Sequence, residues 1–102
     1  MTEEKIIELL LIKANECYKR VFRQRCPKIA RMLDRKEPVE LNGRVYNCWR
    51  ELIVTTCGQI IADYCPEIEV EIELDGNAST INAKLSAADA EIIQTKIKDM
   101  VA

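Results

Sequence analysis

An α+β fold, one small domain in the order helix, helix, hairpin, helix, hairpin, helix (α-α-ββ-α-ββ-α), is what three patterns in the 102-residue sequence predict. Glu67 to Asp75 alternates with a period of two, placing Ile68, Val70, Ile72 and Leu74 on one side and carboxylates on the other, the pattern of a half-buried strand. Thr2 to about Arg25 instead repeats its apolar residues at helical spacing. Asn42-Gly43 and Gly76-Asn77 each supply residues that tolerate positive φ between alternating segments, the chemistry of tight hairpins.

In the first helix the apolar stripe is Ile6, Ile7, Leu10, Leu11, Ala14, Cys17, Tyr18, Val21 and Phe22. Thr2 is the predicted N-cap, with Glu3 and Glu4 complementing the helix dipole. The opposite side carries Lys13, Glu16, Lys19, Arg20 and Arg23, but also Leu9 and Ile12, so the first half is apolar almost all round. Such a helix needs cover on two sides, supplied either by the second helix of the same chain or by a second copy. Leu9 and Ile12 are therefore the candidate dimerisation residues.

Pro27 lacks an amide proton, so the helix stops there and a short one restarts, running to about Lys36 before Glu37-Pro38 ends it. Val39 to Tyr46 alternates around Asn42-Gly43 and predicts a two-stranded ribbon. Asn47 is the expected cap of a helix with Trp49, Leu52, Ile53, Cys57, Ile60, Ile61 and Tyr64 on one broad face. The β-branched residues among 51–57, followed by Gly58, keep a strand open as the alternative there.

The strand at 67–75 should pair with Thr80 to Leu85 across a Gly76-Asn77 loop, setting Ile72 opposite Ile81, Val70 opposite Ala83, Ile68 opposite Leu85 and Glu69 opposite Lys84. With the ribbon it would build a mainly antiparallel sheet. Ser86 and Asp89 have capping-box spacing, and Ile93, Ile97, Met100 and Val101 give the last helix an apolar stripe expected to face that sheet.

A chain of this length is expected to form a single domain over 1–102 and to bury roughly two-thirds of its unfolded surface. Its hydrophobic (48%) and charged (31%) fractions are those of an ordinary globular protein. The longest apolar run, Leu9 to Ile12, is one helical turn, and the start of the chain lacks a signal-peptide pattern, so no membrane partner and a cytoplasmic location are expected. Five cysteines without Cys-x-x-Cys spacing, and no histidine, predict reduced thiols and no metal. Cys26-Pro27 and Cys65-Pro66 have the dipeptide of some haem-thiolate sites, but with no histidine for the second axial position they read as helix punctuation, and no cofactor is expected.

Catalysis is the least supported class, because no histidine is present to activate a thiol and no glycine-rich loop to cradle a phosphate. Charge is segregated: residues 1–50 carry 12 basic and 7 acidic side chains, residues 51–102 carry 3 and 10. Two charged surfaces result. Lys19, Arg20, Arg23, Arg25, Lys28, Arg31, Arg35 and Lys36 form a basic arc answered only by Asp34, suited to a nucleic-acid backbone or to an acidic partner. Glu67, Glu69, Glu71 and Glu73 form an acidic stripe, a solvated outer face or a docking surface for a basic partner. The expected function is that of a small non-catalytic binding protein (adaptor, chaperone or inhibitor), homodimeric, with a nucleic-acid-binding module as the alternative.

Overall fold

The computed structural model describes residues 2–100, without the side chain of Met100, so that side chain and Val101, both placed in the last apolar stripe, lie outside the described residues. The elements run α1 (Glu3–Arg25), α2 (Pro27–Asp34), β1 (Val39–Leu41), β2 (Arg44–Tyr46), α3 (Trp49–Tyr64), β3 (Glu71–Glu73), β4 (Thr80–Asn82) and α4 (Ala87–Met100), the α+β order the sequence predicts. β1 pairs with β2 and β3 with β4, both antiparallel, and each hairpin stands as its own two-stranded sheet.

α1 is the spine, with α2, α3, α4 and β4 all packed against it. Thr2 caps it, its hydroxyl accepting from the amide of Lys5 at 3.2 Å. Both Cys-Pro pairs end helices in one conformation: Cys26 (φ −136°, ψ 61°) closes α1 and Cys65 (φ −131°, ψ 66°) closes α3. Asn42 and Gly43 adopt φ of 52° and 79°, which makes the two-residue turn that places Leu41 opposite Arg44.

Residues 51–57 are helical, and α3 starts without the cap expected from Asn47. Cys48 occupies the N-cap position and offers no side-chain hydrogen bond. Glu51 reverses the expected roles, its Oε1 accepting from the backbone amide of Asn47 at 2.8 Å and from the side-chain amide of Asn47 at 3.2 Å. Its Oε2 accepts from the amide of Gly76 at 3.0 Å, so this buried carboxylate ties the ribbon's exit, the start of α3 and the tip of the second hairpin together.

The second hairpin keeps the predicted register, with Ile72 opposite Ile81, but its ladder is only three pairs long. The expected strand over 67–75 is thus cut to Glu71–Glu73. Two local turns are the reason: Ile68 donates to the carbonyl of Cys65, and Leu85 to that of Ala83, so both strands are bent away before Val70 and Ala83 can pair. The apolar side of the strand is correspondingly half covered. Ile68 and Val70 pack on the core, whereas Ile72 and Leu74 remain 39% and 40% exposed. Ile72 nevertheless lies directly over Gly58, where a Cβ would overlap its Cδ1 and stand 2.9 Å from its Cγ1.

Two apolar clusters result. The larger joins α1, α3, α4 and β4 through residues such as Leu10, Ala14, Ile53, Ile61, Ile81, Ile93 and Ile97. α4 therefore turns its stripe mainly onto α1 and α3 and not onto a sheet, because a two-stranded hairpin offers too little surface to cover it. In the smaller, α2 and the ribbon enclose Trp49 and Leu52, and Phe22 belongs to both, meeting Trp49 edge-on at 5.8 Å.

Candidate interaction surfaces

The outer side of α1 is built by helical spacing alone. At 100° per residue Lys5, Glu8, Leu9, Ile12, Lys13 and Glu16 share one arc opposite the buried stripe. Leu9 is 41% and Ile12 50% exposed; α2 packs on another part of α1 and leaves both uncovered. A groove of about 180 Å³ flanks Leu9, bounded by Ala87, Ala90 and Gln94 of α4. On the other flank a groove of about 230 Å³ runs past Ile12 towards Lys19, Trp49 and Arg50. Lys13 and Glu16 pair loosely at 3.9 Å, and Glu8 reaches Arg50 at 3.4 Å. Lys5 and Glu8 were missed from sequence, although the same spacing that singles out Leu9 and Ile12 places them beside those residues.

The basic arc is less uniform than its composition suggests. Lys19 lies over the Trp49 ring, 5.7 Å from its centroid. Arg23 binds Asp34 at 3.0 Å, and the Trp49 indole donates to the same carboxylate oxygen at 2.8 Å. That indole hydrogen bond first, and the Arg23 guanidinium after it, hold the Asp34 carboxyl below the usual carboxylate range, against an opposing effect of burial. Arg25 has an interaction of its own. Arg20, Lys28, Arg31, Arg35 and Lys36 are exposed and make no ion pair among the described residues. Lys28, Arg31 and Arg35, at i, i+3 and i+7, fall on one stripe of α2 and its C-cap.

All four glutamates of the acidic stripe are exposed. Glu67, Glu69 and Glu71 line a cleft of about 360 Å³ where the hairpin splays, facing Asn82 and Lys84; Glu73 lies beyond it, beside Thr80. Among the described residues no three acidic, cysteine or histidine side chains converge as metal ligands. The five cysteines are all unpaired, four of them buried and Cys26 half-buried. Burial pushes the Cys57 thiol up to about 12, and burial followed by the carboxylates of Asp89 and Glu67 raises that of Cys65.

No family model, no curated protein and no solved structure matches the chain.

Proposed function

We propose that this is a small non-catalytic protein-binding module, an adaptor, chaperone or inhibitor, whose association surface is the outer side of α1. The observation that carries the reading is the half-exposed Leu9–Ile12 pair, set among Lys5, Glu8, Lys13 and Glu16 on the outer side of α1. Support for the non-catalytic part comes from a chain without histidine in which burial raises the pKa of the Cys57 and Cys65 thiols, the opposite of an activated nucleophile. Five unpaired cysteines suit a reducing compartment, and the cytoplasm is the proposed location. Among the described residues no helix is long and apolar enough to cross a membrane.

The test is affinity capture with tagged protein from the native host, wild type beside Leu9→Glu/Ile12→Glu, both first shown by circular dichroism to be folded. The double variant should lose the protein species that the wild type retains, its own untagged copy included. Equal capture by both would refute α1 as the association face.

Nucleic-acid binding is the second reading, favoured by the single stripe of Lys28, Arg31 and Arg35. It predicts a salt-dependent mobility shift that Lys28→Glu/Arg31→Glu/Arg35→Glu abolishes. A triple variant that shifts nucleic acid as well as the wild type leaves the stripe as surface only.

A further inference from the structure

The groove of about 230 Å³ between α1, the start of α3 and the tip of the second hairpin has a chemistry of its own. Its base is apolar, formed by Leu11 of α1 and by Trp49 and Ile53 of α3, all three buried. Above that base stand two cations and two amides: Lys19 and Asn15 on α1, Arg50 on α3 and Asn77 on the hairpin. No carboxylate lines it, whereas four other clefts among the described residues each carry at least one glutamate. A recess whose charges share one sign concentrates ions of the other, and convergent donors over an apolar base are the means of holding a small molecule that has one polar end.

The donors are free to act. Asn15 and Lys19, at i and i+4, lie one above the other on the same face of α1. Trp49 steadies the Lys19 ammonium, 5.7 Å from the ring centroid, and no carboxylate pairs with that ammonium among the described residues. Neither the Asn15 nor the Asn77 side chain has a hydrogen bond among the described residues. Arg50 donates from Nε to the carbonyl of Ser79 at 2.8 Å and from Nη1 to Glu8 at 3.4 Å, which leaves Nη2 uncommitted. The walls are also set in advance. Asn77 lies between two anchors to α3, the Gly76 amide on Glu51 and the Ser79 carbonyl on Arg50, so it is held across from α1 before anything binds.

From this we infer that the groove is a binding site for a small organic anion, its carboxylate or phosphate held by Lys19 and Asn15 with Arg50 and Asn77 beside it, and its apolar body resting on Leu11 and Ile53. The site is separate from the association reading of α1, and either can hold without the other.

Titration with phenyl phosphate and with benzoate tests it, followed through the side-chain amide signals of Asn15 and Asn77 in nitrogen-15 spectra and through the fluorescence of Trp49, the single tryptophan. At least one probe should move all three reporters along one saturable curve, and the tighter of the two identifies the head group. Phenol, which has the ring without the oxyanion, should bind far more weakly. Lys19→Met and Asn15→Asp, each folded by circular dichroism, should weaken the tighter probe about tenfold, the first by removing a charged donor and the second by placing a carboxylate in the groove. Lys98→Met removes the same charge from α4, outside the groove, and should bind as the wild type does. Wild-type reporters unmoved at millimolar probe, phenol bound as tightly as both anions, or Lys98→Met weakening binding as much as Lys19→Met would each overturn the site.

Discussion

Lys36 holds φ at 58°, in the left-handed region, just after the last turn of α2. Its amide and that of Glu37 donate back to the carbonyls of Leu33 and Met32 at 3.1 and 2.9 Å, the paired bonds of a glycine-type helix terminus with lysine in the glycine's place. Relieving that conformation should outweigh the extra freedom glycine gives the unfolded chain. Lys36→Gly is therefore expected to stabilise the protein by about 0.5–1 kcal/mol, read as a Tm higher by about 3–6 °C. The buried thiol of Cys57 makes the opposite kind of statement. Its folded pKa of about 12 lies above the ordinary 9, so between those values the unfolded chain releases a proton that the native state retains. Stability from this group is complete below about pH 9 and declines as pH rises towards 12, and Tyr18, raised by burial to about 12, adds to the decline above pH 10. The urea midpoint should fall between pH 9 and 10.5, and fall less steeply in Cys57→Ala; parallel slopes in the two proteins would count against the assignment.

At the scale of elements, the packing of β3 on α3 depends on the missing side chain of Gly58. Alanine there would gain up to about 1 kcal/mol of helix propensity but must displace Ile72, whose Cδ1 and Cγ1 occupy the space. The two positions should be coupled. Gly58→Ala is expected to be neutral or destabilising in the wild type and stabilising by about 1 kcal/mol in an Ile72→Ala background, measured as a double-mutant cycle in urea. An additive cycle would mean that Ile72 does not sit where it is described.

The same pair shows what was legible in the sequence and what was not. Thr2, Asn42-Gly43 and Ser86 act through bonds within a few residues, and each does what its type predicts; the Ser86 hydroxyl accepts from the amide of Asp89 at 3.1 Å. The alternation of 67–75 gave the right register but too long a strand, since periodicity reports which face is apolar and not where flanking turns pull the chain off its neighbour. Gly58 looked like a weakness in a helix because its reason lies in another element. Leu9 and Ile12 were visible as aliphatics on a polar face, whereas Arg23 and Lys19 looked available until Asp34 and Trp49 came beside them in space.

Over the whole molecule, α1 carries the large cluster on one side and an uncovered face on the other, and charge is divided between a basic α1–α2 end and an acidic hairpin. The two sheets share no strand, yet they are not independent. Glu51 holds the backbone at Asn47 with one oxygen and at Gly76 with the other. A single acid side chain thus acts as the clasp between the ribbon and the distant loop, and undoing it would free both at once. The molecule is expected to loosen as one cooperative unit, with neither hairpin able to melt while its counterpart stays fastened.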